Sequence, residues 1–335
     1  MHEPAFWYRP SSLTSRLLMP LGAIYGAVAA RRLARGGIDA GIPVLCVGNY
    51  HVGGAGKTPA VLALVSLLRD AGEAPIVLSR GYGGRLRGPV KVDPDRHAAT
   101  DVGDEPLMMA QAVPVVIARD RADGVALARS QGASVILMDD GFQNPVIAKD
   151  AALIVIDGDR GLGNACVFPA GPLRAPLPPQ LARTDALIII GHGSAADAVA
   201  AAIAAQGGLV LRAHLTPSEA SLAALRGRRV LAFAGIGDPG RFFRTLRTSG
   251  VEVVAEKAFA DHHPFSEIEI EALAAAAKRD GLTLVTTEKD FARLERKRAP
   301  DIVPFAVTLR FDDEAKLLRF VTDRLFKSRA KKFRS

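Results

Sequence analysis

Cysteine is nearly absent: Cys46 and Cys166 are the only two in 335 residues. Two thiols build no disulfide framework, and they suit a reducing compartment. Aromatic side chains make up 6% of the chain, too few to favour a surface built on base stacking. No recognised nucleic-acid module accompanies the net charge of +8, so nucleic acid is not the expected partner. Neither cysteine belongs to a ligand-spaced pair, and no HExxH occurs, which removes the usual zinc sites. No internal repeat or low-complexity segment stands out. What remains is a chain that is 49% hydrophobic and 23% charged, enough to bury the cores of two ordinary domains. Its positive balance calls for an anionic partner of another kind: a phosphorylated substrate or an anionic membrane surface.

The most informative segment is Gly48 to Pro59, GNYHVGGAGKTP. An apolar run, Ile42–Val47, leads in, and a helix-like run leads out. This is the strand–loop–helix setting of a phosphate-binding loop. Main-chain N–H groups close on phosphates only where side chains are missing, hence Gly53, Gly54 and Gly56 around Ala55. The helix that follows points its positive end at the same anion. Lys57 would reach the β- and γ-phosphates and Thr58 would hold Mg²⁺. The generic pattern has Gly where this chain has His51. ATP and Mg²⁺ are therefore the expected cofactors.

The alternation of short apolar runs with helix-like segments predicts an α/β fold with a mostly parallel sheet. Strands are expected at Ile42–Val47, Pro75–Ser79, Val113–Ala118, Ser134–Met138, Leu153–Asp157 and Ala186–Ile190, with helices at Lys57–Asp70 and Arg121–Gln131. A second series has strands near Val230–Ala234, Val251–Glu256 and Thr283–Thr286, and helices near Arg241–Thr248 and Glu267–Arg279. The expected division is a P-loop NTPase-like domain over 1–208 and a smaller α/β domain over 216–302. Leu209–Leu215 and Val303–Leu309 would join them as a two-stranded hinge. The last helix, from Asp312, would return to the first domain. The proline-rich stretch Phe168–Pro179 reads as a rigid loop, and the basic run after Phe326, up to Arg334, as a frayed, solvated tail.

Several constellations could carry chemistry. Ser134 to Gln143 is an apolar strand ending in Asp139 and Asp140, the arrangement that delivers a carboxylate to Mg²⁺ beside such a loop. Asp104 and Glu105, in VGDEP, are either helix caps or a catalytic base and its neighbour. Arg80, in SRGYGG, is either a phosphate ligand or part of a turn. His262 and His263 follow a strand of the second domain, where α/β proteins build sites.

Leu17–Ala30, bracketed by Arg16 and Arg31, is uncharged but short of the roughly 20 residues that cross a bilayer. It mimics a signal peptide, a reading set aside because an ATP site requires cytosolic ATP. Two readings of it stay open: a helix buried in the fold, or an amphipathic segment in the membrane interface with Trp7, Tyr8 and Tyr25 near headgroup level.

The order GNYHVGGAGKTP, SRGYGG, VGDEP, IARDR, DDGFQN, FPAGPLR, AFAGIGDPGRFF, FADHHPF and TTEKD resembles the tetraacyldisaccharide 4′-kinase family of lipid A biosynthesis, from about residue 11 to about 325. The chain departs from the family pattern at His51, Ala55 and Asn144. The resemblance implies a peripheral enzyme at the cytoplasmic face of the inner membrane, expected to be a monomer. It would move the γ-phosphoryl group of ATP onto the 4′-hydroxyl of an acylated glucosamine disaccharide 1-phosphate, giving lipid IVA. It further implies Asp104 as base, supported by His262, and Thr58, Asp139 and Asp140 as Mg²⁺ ligands. Arg80, Glu105, Arg119, Arg121, Gln143, Arg174 and His263 become candidate substrate or phosphate contacts. A membrane-cycling regulatory ATPase without a small-molecule acceptor is the alternative.

Overall fold

Parallel strands covered on both faces need unbroken apolar runs, and the chain supplies them. The computed structural model describes residues 3–9, 12–294 and 301–332. The strands are β1 Val44–Gly48, β2 Pro75–Ser79, β3 Val90–Lys91, β4 Val115–Ile117, β5 Val135–Asp139, β6 Ala151–Asp157, β7 Ala186–Ile190, β8 Leu209–Pro217, β9 Arg229–Ala234, β10 Glu252–Ala258, β11 Thr283–Thr287, β12 Ile302–Phe305 and β13 Val307–Phe311. The helices are α1 Leu13–Leu33, α2 Lys57–Asp70, α3 Ala99–Val102, α4 Asp104–Ala110, α5 Arg121–Ser130, α6 Leu177–Leu181, α7 Asp197–Ala205, α8 Glu219–Leu225, α9 Pro239–Thr248, α10 Glu267–Asp280, α11 Glu288–Phe291 and α12 Glu314–Lys332.

Nine strands form one sheet in the order β13-β8-β7-β6-β1-β5-β2-β4-β3, parallel except at its two edges. Alternate residues of β1 face opposite layers. Leu45 and Val47 pack with α2 and α12, while Val44 and Cys46 join the layer that holds α5 and α7. Four strands form the second sheet, β10-β9-β11-β12, all parallel and again covered on both faces. Its helices start on conventional caps. Asp238 accepts from Arg241 N ahead of Pro239 in α9, and Ser266 with Glu269 closes a reciprocal capping box on α10.

The hinge differs from the expectation. Val303–Leu309 is not one strand. Val303 belongs to β12, which pairs parallel with β11 in the small sheet. From Val307 onward the chain is β13, which pairs antiparallel with β8. β8 also pairs parallel with β7, so the two-stranded connection is an extension of the large sheet. The apolar run from Ile302 to Val307 conceals the change of sheet, because only pairing partners far along the chain fix it.

The C-terminal basic run is not a frayed tail as far as Lys332. Leu317, Val321 and Leu325 of α12 enter the large-sheet core, as the expected return path requires. Arg329 pairs with Glu73, and Lys332 with Asp39 and Asp150. Residues 333–335, with Arg334, and residues 295–300 of the smaller domain's expected span lie outside the described residues.

The N-terminal apolar stretch is longer than its uncharged portion. α1 runs 21 residues from the cap at Ser12, whose hydroxyl accepts from Ser15 N. At 1.5 Å per residue such a helix is about 30 Å long. It is not a core helix: Leu17 is 80% exposed, with Leu13, Met19, Leu21, Ile24, Tyr25 and Val28 also exposed. Its buried side is narrow, formed by Ser15, Gly22, Gly26 and Leu33. There it rests on Val167, Ala170 and Pro176.

Candidate active site

The glycine-rich loop joins β1 to α2, and its conformation explains its composition. Gly56 precedes the helix at φ +83°, a left-handed geometry, and a Cβ there would lie 2.6 Å from the Ile190 side chain. Lys57 opens α2 and its Nζ lies 3.7 Å from Asp140 Oδ1. The first half of the loop is braced from one side. Val52 N donates to Pro172 O at 2.8 Å, Arg174 N donates to Tyr50 O at 2.8 Å, and His51 bridges Leu173. His51 is buried, and burial lowers its pKa to about 4, so it is a neutral packing residue where the generic loop has glycine. Its Nδ1 donates to Val52 O.

β5 runs beside β1 and ends in the two carboxylates. Asp139 is buried; Ser79 Oγ donates to its Oδ2 at 3.2 Å, and its Oδ1 has no hydrogen-bond partner. Burial, with Glu105 and Asp140 nearby, raises this carboxyl well above the usual range against the pull of Lys57 and Ser79. Asp140 stands at φ +47° on the cleft surface. Burial would raise its pKa, but Lys57 and the two-pronged contact of Arg174 outweigh that and hold it below the ordinary carboxylate range. An unpartnered buried carboxylate oxygen at Asp139, next in sequence to a second carboxylate at Asp140, offers oxygen donors suited to a hard divalent cation. Among the described residues no three His, Cys, Asp or Glu side chains converge into a cage of their own.

The second half of the site is assembled across the two sheets. Gly103 turns the chain into α4 at φ +93°, where a Cβ would run into the Tyr82 carbonyl, so SRGYGG and VGDEP pack main chain to main chain. Asp104 is the first helical residue and is 7% exposed. Its Oδ1 accepts from Glu105 N at 2.9 Å, a contact within the first turn rather than a cap, since the cap position is Gly103. Its Oδ2 faces the second domain and meets His262 Nδ1 at 2.9 Å and Arg293 Nε at 3.0 Å. Burial works to raise its pKa; the His262 hydrogen bond, Lys289 and Arg293 overcome this and hold the carboxyl far below its ordinary value. An ionised carboxylate only accepts, so His262 carries its proton on Nδ1, and Nε2 faces Lys289 Nζ at 3.3 Å.

The remaining candidates separate by placement. Arg174 and Gln143 lie beside Asp140 and the loop; Gln143 donates to Asn49 O and to Gln180 and is a brace. Arg80 and Arg119 are exposed at the carboxyl ends of β2 and β4, on the cleft side. Glu105 pairs with Lys289 at 2.9 Å. Arg121 is not brought to the cleft surface. It is 2% exposed and its guanidinium donates to Leu78 O and Asp139 O, tying two strand ends together. His263 also turns away, pairing with Glu269 and stacking on Phe259.

Four residues escaped the sequence reading as site residues: Ser79, Lys289, Arg293 and Arg241. Lys289 lies in TTEKD at the carboxyl end of β11, and that position was the available signal. Arg241, in the first turn of α9, reaches Asp157 at the end of β6 and makes a further ion pair between the sheets.

Comparison with known proteins identifies the family. The profile of the family described as Tetraacyldisaccharide-1-P 4'-kinase matches residues 14–326. A tetraacyldisaccharide 4'-kinase of Nitrobacter winogradskyi is 70% identical over 334 residues, 98% of this chain and 99% of that one. One from Bradyrhizobium diazoefficiens is 68% identical over 335 residues, covering 99% of each. The crystal structure of LpxK from Aquifex aeolicus in complex with ATP superposes with a TM-score of 0.74 at 26% identity, covering 93% of this chain and 100% of that one. With a profile match over most of its length and relatives this similar from end to end, the chain belongs to the tetraacyldisaccharide 4′-kinase family.

Proposed function

We propose that this kinase uses ATP to phosphorylate the 4′-hydroxyl of tetraacyldisaccharide 1-phosphate, with Asp104 as proton acceptor and His262 as its partner. The observation that carries the residue roles is the 2.9 Å contact between Asp104 and His262, drawn from different sheets and meeting over the P-loop cleft. A regulatory ATPase would have no use for that pair.

Lys57 and the loop N–H groups would hold the triphosphate. Thr58, Asp139 and Asp140 would hold Mg²⁺, which when bound neutralises charge on the β- and γ-phosphates. The sugar oxygen attacks the γ-phosphorus, the bond to the β–γ bridging oxygen breaks, and ADP leaves. The hydroxyl proton passes to the Asp104 carboxylate. A carboxylate with a depressed pKa is a weak base, yet the reaction tolerates one. In a loose transition state the nucleophile loses its proton late, when its acidity has risen, so the carboxylate mainly orients the hydroxyl and receives the proton at the end. Arg80, Arg119 and Arg174 would be the cations that meet the 1-phosphate or the transferred group.

The lipid acceptor gives the exposed face of α1 a purpose. Its apolar side chains would enter the acyl boundary of the cytoplasmic face of the inner membrane, with Arg16, Arg31 and Arg32 at the headgroups. Both halves of the cleft come from one chain, which supports action as a monomer. The test is direct. Mg-ATP and tetraacyldisaccharide 1-phosphate in mixed micelles should yield a product one phosphoryl group heavier, modified at the 4′ position. ADP release without such a product would overturn the assignment.

A further inference from the structure

Asp290 and Arg293 take no part in the reaction derived above, yet the Asp290 side chain is fully buried and that of Arg293 is 9% exposed. Asp290 is fully buried, and its Oδ2 accepts from Gly235 N at 3.0 Å and Thr287 Oγ1 at 2.7 Å. Its Oδ1 lies 3.0 Å from Arg293 Nη1. Arg293 extends this anchor in two directions. Its Nη1 and Nη2 donate to Gly235 O at 3.1 Å each, and Nη1 also donates to His263 O at 3.3 Å. Its Nε donates to Asp104 Oδ2 across the domain interface.

Gly235 O is the carbonyl to which His262 N donates, at 3.0 Å. His262 needs that support, since its φ of +58° is unfavourable for a side chain larger than glycine's. One guanidinium therefore grips the main-chain turn that presents the His262 ring and the carboxylate oxygen that the ring meets. Burial of an arginine for the fold of the small domain alone would be satisfied by Asp290 and the two carbonyls. The Nε contact to Asp104 adds nothing to that fold; it fixes a distance between domains.

We propose that Arg293 is a positioning residue for the phosphoryl transfer, setting Asp104 and His262 in register before the acceptor hydroxyl arrives. The inference rests on Asp104 as proton acceptor. It uses the planar fork of arginine, which an ammonium cannot reproduce at three carbonyl and carboxylate sites at once. Arg293 acts through the pair it holds.

The experiment is a kinetic cycle on the full-length protein. Arg293→Lys keeps the charge and loses the fork. In the otherwise unaltered protein it should lower kcat by about 10- to 100-fold, the scale of a misplacement near 1 Å, while KM for ATP and for lipid stay within about twofold. In an Asp104→Asn background the same substitution should cost less than about threefold, because the group it positions is already disabled. Equal losses in both backgrounds would overturn the proposal, as would a raised KM with kcat intact. If Asp104→Asn alone leaves kcat unchanged, the proton-acceptor reading fails first and takes this one with it. If Asp104→Asn cripples turnover and Arg293→Lys does not, only the positioning role fails. Should Arg293→Lys unfold, Arg293→Gln, which keeps donors toward Gly235 O, is carried through the same cycle with the same outcomes.

Discussion

On the large-sheet side of the cleft the reactive groups are held by main chain. Gly56 fixes the turn into α2, β1 and β5 lie in parallel register, and Asp139 and Asp140 sit at a strand end. On the small-sheet side they are held by side-chain charge: His262, Lys289 and Arg293 converge on Asp104 and Glu105, and Arg241 on Asp157. Main-chain geometry exists whether or not the domains meet. Ion pairs between domains exist only when they do. The proposed nucleotide half therefore lies within one domain, whereas the proposed proton-accepting half needs both.

The sharpest break of this contrast is Lys57→Ala. It should remove phosphoryl transfer by at least about 10²- to 10³-fold, as loss of a charged contact to a transferring group does, and leave the melting temperature nearly unchanged. Turnover near normal in the folded variant would end the P-loop assignment. Next in size is the inter-domain pair. Asp104→Asn should lower kcat by about 10²-fold with little change in KM for ATP, and His262→Ala should do so more mildly. The double variant should lose less than the product of the two. Strictly multiplicative losses would mean that the residues act separately.

Smaller again is the effect of loosening closure at Arg241–Asp157, on the far side of the cleft from Asp104. Arg241→Ala should broaden the distance between labels on the two domains in nucleotide-free protein, and ATP with Mg²⁺ should narrow it. A distribution indifferent to both would show the domains rigidly joined. Acidity tests the same interface. Asp104 is depressed in the folded protein, so its stabilising contribution is complete above the unfolded carboxyl pKa, about 3.9, and is lost as pH falls below it. Urea midpoints should therefore drop between about pH 5 and pH 3 less steeply in Asp104→Asn than in the unaltered protein. Parallel slopes would remove Asp104 from the acid response. The least effect on chemistry is expected from α1. Serine at Leu17, Leu18 and Leu21 should raise KM for the lipid by well over tenfold, since several CH₂ groups leave the interface at up to about 0.8 kcal/mol each, with KM for ATP unchanged. Unaltered vesicle binding by the folded variant would place the membrane contact elsewhere.

What was legible in the sequence followed the same division. β2 and β7 match their expected bounds because a fully buried parallel strand is a self-contained apolar run between polar ends. The P-loop and the strand before Asp139 were legible for the same local reason. The change of sheet after Phe305 was not, because the apolar run is continuous there and the partners of its two halves are β11 and β8. Nor was the anchoring of Arg329 and Lys332, whose acids lie at Glu73, Asp39 and Asp150. Arg121 became a candidate contact through the resemblance carried by IARDR, and a motif reads the same whether its arginine meets a phosphate or two carbonyls. Arg293 carried no signal at all: its meaning lies in Gly235, His263 and Asp104, three places in two domains.

The stretch from Val167 to Pro176 touches both ends of the problem. Its one side carries Gly22 and Gly26 of α1, and its other side carries Tyr50, His51 and Val52 of the nucleotide loop. With α1 seated in the interface as proposed, that short strut works as a gauge. It sets the height of the γ-phosphoryl group above the bilayer to a fixed span of protein. An acceptor would then be chosen by how far its hydroxyl stands out from the lipid surface as much as by its shape. Sugars lying deeper or floating free would miss the phosphoryl group for want of the right elevation.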